Sequence, residues 1–273
     1  MGLLFSKMHG AGNDFVIIDR RNASLPLPAA LVARLCDRHR GVGCDQLLTV
    51  EAPRSPGSAF AYGIWNQDGS AAAQCGNGAR CVVAWARRAG LFEGDRVLAD
   101  SPSGRIEARI GSDGIDIDMG RPDFSADAVG FRDAGQPAEI AFEGRNVAFS
   151  TVSMGNPHAV IEVPSVESAP VQRLGPALQR DARFRDSCNV GFAQVLDRRR
   201  VKLRVYERGV GETLACGSGA CAAVAALRRL DRVDPSVEVS LPGGILHIHW
   251  PDAEQPLRMR GPAEFVFEGE FHA

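Results

Sequence analysis

Gln74-Cys75-Gly76-Asn77-Gly78-Ala79 and, 141 residues further on, Ala215-Cys216-Gly217-Ser218-Gly219-Ala220 are two copies of one pattern. In each, a cysteine stands before a Gly-x-Gly turn that opens an apolar run. The agreement extends outward in order and spacing: Ile64-Trp65-Asn66-Gln67 lies eight residues before Cys75, and Val205-Tyr206-Glu207-Arg208 lies eight before Cys216. Further upstream, Val42-Gly43-Cys44-Asp45-Gln46-Leu47-Leu48 answers to Val190-Gly191-Phe192-Ala193-Gln194-Val195-Leu196. Downstream, Met119-Gly120-Arg121-Pro122 resembles Met259-Arg260-Gly261-Pro262. Solenoids and propellers repeat every roughly 20 to 50 residues, so a period this long predicts two domains related by approximate twofold symmetry. The reading places an N-terminal domain over residues 1–120, with 264–273 returning to it, and a C-terminal domain over 121–263. The cleft between them is where a site is expected.

Length and composition agree with two ordinary domains. The chain has 273 residues, 45% hydrophobic and 23% charged, which at about 150 residues per domain gives two bodies able to bury real cores. A formal charge of −2 from 31 basic and 33 acidic side chains leaves no footprint for nucleic acid or an anionic membrane. The longest charge-free run, Asn146 to Ile161, carries Ser, Asn, Pro and His and is shorter than the ~18 apolar residues of a membrane span. The first residues lack a secretory pattern and read as a strand, although Met1-Gly2 fits the loose lipidation motif. A cytoplasmic address and a small-molecule substrate are expected. Seven cysteines without a secretion signal predict free thiols rather than a disulfide framework.

Alternation at period two marks half-buried strands at Phe15–Ile18, Arg105–Ile110, Ile115–Asp118 and Leu246–Trp250. Turn signals such as Asp113-Gly114 predict antiparallel hairpins. Gly78 to Arg88 contains Val82, Val83 and Trp85, and Gly219 to Leu227 is apolar on every side, the mark of a helix buried on every side. An amphipathic helix is expected from Pro28 to His39. The fold class is therefore α/β (α+β): two pseudo-symmetric domains, each a curved, mostly antiparallel sheet wrapped around a central buried helix.

A cysteine at the start of a helix lies among unpaired N–H groups at the positive end of the dipole. That setting can bring a thiol from ~8.5 into the ~3.5 to 7.5 range, and it cradles anions. Two such helix starts would hold one carboxylate and set a sulfur on either side of its α-carbon. One sulfur would remove the α-proton as thiolate and the other deliver a proton to the opposite face. The two dipoles would stabilise the enediolate-like charge, and no pyridoxal phosphate or other cofactor is implied. Cys36, Cys44, Cys81, Cys188 and Cys221 read as small core hydrophobes. Zinc at Cys36, His39 and Cys44 lacks a fourth ligand, and Gly217-Ser218-Gly219-Ala220-Cys221-Ala222 fits a dinucleotide fingerprint only loosely.

With these motifs in view the sequence resembles the diaminopimelate epimerases, isomerases that interconvert LL- and meso-2,6-diaminopimelate on the bacterial route to lysine and peptidoglycan. The resemblance runs from Phe5 to the C-terminus. It rests on Met8-His9-Gly10-Ala11-Gly12-Asn13-Asp14-Phe15, Ala73 to Cys81, Met154-Gly155-Asn156-Pro157-His158, Asn189-Val190-Gly191-Phe192, Arg204 to Gly209 and Gly211 to Ala220. It implies that Cys75 and Cys216 are the acid/base pair, with His158 assisting the first and Glu207 the second. It also implies that Gly76, Asn77, Gly217 and Ser218 hold the reacting carboxylate end. Asn13, Gln46, Asn66, Asn156, Asn189, Glu207 and Arg208 then fix the rest of the substrate, an Arg–carboxylate fork being suited to the distal amino-acid group. A homodimer is compatible with it. Cys44 and Cys188 depart from the family's usual residues. The rival readings are a proline or hydroxyproline racemase of the same fold and, in another class, a thiol redox or zinc-binding protein.

Overall fold

A computed structural model of the chain describes residues 2–23, 25–133 and 137–272, so Met1 of the lipidation motif lies outside the described residues. The first elements are β1 (Leu3–Gly10), β2 (Asn13–Asp19), α1 (Ala29–Cys36), β3 (Gln46–Glu51), β4 (Phe60–Asn66), α2 (Gly76–Arg88), β5 (Arg96–Ser101), β6 (Gly104–Gly111) and β7 (Gly114–Asp118). They are followed by α3 (Ala126–Val129), β8 (Ala138–Phe142), β9 (Arg145–Ser153), β10 (Pro157–Glu162), α4 (Val171–Gln179), β11 (Asn189–Asp197), β12 (Arg200–Glu207) and β13 (Gly211–Thr213). The chain closes with α5 (Gly217–Arg229), β14 (Ser236–Leu241), β15 (Gly244–His249), β16 (Arg258–Gly261) and β17 (Glu264–Phe271). It divides into two units, Met1–Asp118 with Arg260–Ala273, and Met119–Met259. Among the described residues no helix is long and apolar enough to cross a membrane.

The two units pair their strands in the same sense and order. In the first, β17–β1 and β1–β2 are antiparallel, β2–β3 parallel, β3–β4 antiparallel, β4–β5 parallel and β5–β6 antiparallel. In the second, β8–β9 and β9–β10 are antiparallel, β10–β11 parallel, β11–β12 antiparallel, β12–β14 parallel and β14–β15 antiparallel. The C-terminal strand β17 thus does for β1 what β8 does for β9. Registers match as well: Phe15 pairs with Gln46, and His158 with Asn189. The sheets are mostly antiparallel, as the hairpin signals predict, with two parallel joins per unit that no short turn could mark, since a parallel pair needs a long crossover.

Each unit has its own buried helix. In α5 every residue from Gly219 to Leu227 is buried, and six of those nine are alanine or glycine, which lets strands approach closely on all sides. In α2 the buried stretch is Gly76 to Val83 with Ala86. Both helices finish with paired arginines, Arg87-Arg88 and Arg228-Arg229, where cations complement the C-terminal dipole. A second layer covers the other face. In the first unit α1 places Val32 and Leu35 against Val16, Ile18 and Leu47. In the second, α4 places Leu174 and Leu178 over Phe131, Phe149, Phe184 and Phe192, each worth ~1.5–3 kcal/mol when fully buried.

The expected helix from Pro28 to His39 is shorter than its sequence pattern. Pro28 caps it from outside and it stops at Cys36. Asp37 turns extended, and its carboxylate accepts the N–H groups of His39 at 2.7 Å and Arg40 at 2.9 Å. An Asx turn of this kind competes with the helix ladder, and periodicity does not reveal it.

Candidate active site, two half-sites

In the first unit Cys75 is the residue just before α2, with extended backbone, and its Sγ accepts the N–H of Gly78 at 3.4 Å. Gly76 and Asn77 form the buried first turn. Asn13, at the start of β2, turns its Oδ1 toward this turn, 3.8 Å from Cys75 Sγ and 3.3 Å from Asn77 Nδ2. Its Nδ2 donates to Asp45 at 2.8 Å. Gln46 and Asn66 face one another across β3 and β4, the Gln46 amide donating to Asn66 Oδ1 at 3.1 Å. Cys75, Asn13, Gln46 and Asn66 are all half-buried.

Behind these residues lies a charged buttress. Asp14 accepts from Arg38 and Lys7. Burial alone would raise its carboxyl, but these two cations outweigh that and hold it well below the usual range. Arg38 also donates to Asp45 at 2.8 Å. The charge of Lys7 is therefore spent on scaffolding around Asn13. Lys7, Arg38 and Asp45 were not among the expected site residues: Lys7 adjoins Met8 and Asp45 adjoins Gln46, but the sequence scatters the three over separate segments and nothing local shows that they meet.

The second unit repeats the arrangement with different chemistry. Cys216 caps α5, is 5% exposed, and its Sγ lies 3.6 Å from Ser218 Oγ. Burial, and then the negative charge of Glu207, push this thiol well above its ordinary value, outweighing the hydrogen bonds from Ser218 and the Gly219 N–H that pull it down. This corrects the expectation of a lowered thiol for Cys216: the helix start is present, yet the buried sulfur with a carboxylate beside it rests protonated. Glu207 ends β12 and accepts from Thr213 Oγ1.

Asn156 donates to Ser218 Oγ at 3.4 Å, and its Oδ1 lies 3.0 Å from Nε2 of His158. His158 is fully enclosed, so burial, aided by the Arg208 charge, pushes its imidazole down to about 3. It is a neutral ring near pH 7. Asn189 donates to the Pro157 carbonyl at 3.3 Å and accepts the Arg208 N–H at 2.9 Å. The exposed Arg208 side chain donates to the Asp186 carbonyl at 2.8 Å.

The expected residues therefore fall into two clusters. Asn13, Gln46, Asn66, Cys75, Gly76 and Asn77 gather in the first unit. Asn156, His158, Asn189, Glu207, Arg208, Cys216, Gly217 and Ser218 gather in the second. Strand register makes them counterparts: Asn66 answers to Glu207 and Phe15 to His158, while Gln46 answers to Asn189 and not to Gln194, which corrects the sequence alignment of Val42–Leu48 with Val190–Leu196, because residue-type similarity does not fix strand register. Of the thiols expected to be inert, Cys36 and Cys44 are buried with their sulfurs 3.4 Å apart. Cys188 is buried and pushed up to about 12 by its surroundings.

The known proteins similar to this chain can be set beside that geometry. A protein called diaminopimelate epimerase from Xanthomonas axonopodis pv. citri is 56% identical over 99% of this chain and 96% of its own length. One of the same name from Xylella fastidiosa (strain M12) is 51% identical over the same shares. Among solved structures, a hydroxyproline epimerase from Agrobacterium vitis superposes with a TM-score of 0.74 at 15% identity, covering 99% of this chain and 92% of that one, a likeness of fold. The family profile described as diaminopimelate epimerase matches residues 5–125 and 150–266, and the chain belongs to the diaminopimelate epimerase family.

Proposed function

We propose that this protein interconverts LL- and meso-2,6-diaminopimelate by moving one α-proton between two cysteines, without a cofactor, in the supply of lysine and peptidoglycan precursors. One observation carries the reading. Each unit sets a cysteine at the head of its buried helix, at the same place in the same strand order, among polar side chains that answer to one another by register.

The reaction begins with one sulfur as thiolate. It takes the α-proton; the C–H electron pair moves into the adjoining carboxylate as an enediolate, and the other cysteine gives its S–H proton to the opposite face. The stereocentre is inverted and the two sulfurs have exchanged protonation states. The N–H groups at Gly76, Asn77, Gly217 and Ser218 stabilise the transient charge. Glu207 takes the proton of Cys216 when that sulfur must act as base; His158, a neutral ring near pH 7, assists Cys75 by hydrogen bonding and not by taking its proton. Asn13, Gln46, Asn66, Asn156, Asn189 and Arg208 hold the unreacting end, whose second amino-acid group needs donors, acceptors and a cation.

Incubation with LL-diaminopimelate in deuterated water tests this. The expected result is inversion with one solvent deuteron incorporated at the reacting α-carbon. Inversion of L-proline or hydroxyproline with no exchange in diaminopimelate would replace the reading with the racemase one.

A further inference from the structure

Arg80 is the largest side chain buried to below 2% exposure, and the two-cysteine chemistry gives it no part. A guanidinium cannot shed its charge, and burying a cation is costly unless its donors are satisfied. Its Nε donates to the Pro262 carbonyl at 3.1 Å and its Nη2 to Asn77 Oδ1 at 2.7 Å. Asn77 Nδ2 then donates to Asn13 Oδ1 at 3.3 Å, and Asn13 Nδ2 donates to Asp45 at 2.8 Å.

An amide has one oxygen end and one nitrogen end, and its orientation follows from its partners. Here a cation at one extremity demands an oxygen and a carboxylate at the other demands a nitrogen, so both amides are fixed. The outcome is that Asn13 presents oxygen to Cys75 Sγ, 3.8 Å away, while the Gly78 N–H meets the same sulfur at 3.4 Å. The thiol has an acceptor and the thiolate a donor. Gly10 leaves room for this chain: a Cβ there would come 3.2 Å from Arg80 Nη2 and 3.3 Å from the Asn77 carbonyl.

The second unit has no such cation on its helix. The residue five past Cys75 is Arg80, whereas the residue five past Cys216 is the buried Cys221. Among the titratable groups near Cys75 are Tyr62 on β4 and Cys81 on α2, both of which feel its charge, with Asp45 behind Asn13. Burial pushes Tyr62 up and Cys81 up to about 12, so both stay neutral while the guanidinium stays charged.

We infer that Arg80 is a positioning residue for Cys75: its charge favours the Cys75 thiolate, and through Asn77 it fixes the face that Asn13 turns to the sulfur. This rests on the proposed role of Cys75 as an acid/base group. The test is alkylation of Cys75 by iodoacetamide as a function of pH in the full-length protein, quantified by peptide mass, together with kcat and KM.

In Arg80→Met the alkylation midpoint should rise by about one pH unit and kcat fall about tenfold with KM little changed. Arg80→Lys, which keeps the charge and loses the fork, should restore the midpoint but not kcat. An Arg80→Met protein that folds and alkylates with the wild-type midpoint overturns the inference. If that variant fails to fold, Arg80→Lys decides: wild-type kcat overturns the positioning role. The alkylation profile requires no turnover, so a wild-type protein inactive on diaminopimelate would count against the proposed function and leave the Arg80 measurement readable.

Discussion

The heads of α2 and α5 have the same backbone and opposite surroundings. Around Cys75 the neighbours are amides, with a buried guanidinium on the helix and Asn66 at the end of β4. Around Cys216 they are a carboxylate, Glu207, and a hydroxyl, Ser218, with apolar Cys221 on the helix. The two equal helix starts thus carry opposite charges beside them, a cation at one and an anion at the other. An acid and a base that exchange roles need unequal resting states, because two thiolates or two thiols cannot complete a proton transfer in one passage.

The largest expected effect breaks the pair itself. Cys75→Ala and Cys216→Ala should each lower epimerisation by at least about a thousandfold with unchanged circular dichroism, while the lost cap at Gly78 or the small cavity at Cys216 costs only about 1 kcal/mol of stability. Full turnover by either variant removes the mechanism. Next in size is Glu207→Gln, expected to cut kcat by about a hundredfold. Because the Glu207 charge helps push the Cys216 thiol up, its removal should shift Cys216 alkylation to lower pH, the opposite direction to Arg80→Met at Cys75. Equal shifts of the same sign at both sulfurs would erase the contrast drawn above.

The third test uses Phe15 and His158, which hold equivalent register positions. Only the second can titrate. Its imidazole sits near 3 in the folded protein against about 6.5 in an unfolded chain. Between those values the unfolded chain binds a proton that the folded one refuses, so stability falls as pH drops below ~6.5. By pH 4 the loss reaches about 3 kcal/mol. Denaturant unfolding of wild type and His158→Phe at pH 7 and pH 4 should show a smaller drop in the variant; identical drops would mean that the ring is charged when folded.

The sequence makes the duplication readable because its glycines and cysteines cannot move without losing the turn or the sulfur, so Cys75-Gly76 and Cys216-Gly217 still align. Both buried helices are legible for a related reason, since a run such as Ala220 to Leu227 has no polar side to solvate. The early stop of α1 was hidden in a single aspartate, Asp37, whose side-chain turn has no periodicity. The raised Cys216 thiol was hidden too: Glu207 stands only nine residues before it, but burial is the larger cause, and neither the enclosure of the sulfur nor the facing of the carboxylate exists until the strands pack. The Lys7, Asp14, Arg38 and Asp45 network is invisible for the same reason. Its members are ordinary charges until the sheet brings them together.

The smallest expected effect separates the two heads by packing alone. Gly78 and Gly219 occupy the same position after their cysteines. A Cβ on Gly78 would meet a Leu48 methyl at 3.2 Å and Cys75 Sγ at 3.4 Å; one on Gly219 would meet Val205 Cγ2 at 3.0 Å, and Cys216 Cβ and Sγ at 3.2 and 3.3 Å. In a helix, alanine gains about 1 kcal/mol over glycine, and overpacking costs about 1–3 kcal/mol. At Gly78 the Leu48 side chain can yield a few tenths of an ångström, so Gly78→Ala should be near neutral in denaturant unfolding. At Gly219 the contacts are closer, and two of them are to the cysteine itself, which the helix holds in place. Gly219→Ala should therefore be the less stable of the two by about 1 kcal/mol and should displace Cys216, lowering kcat more than its stability loss explains. The reverse order would show that the second helix start has the looser packing of the two.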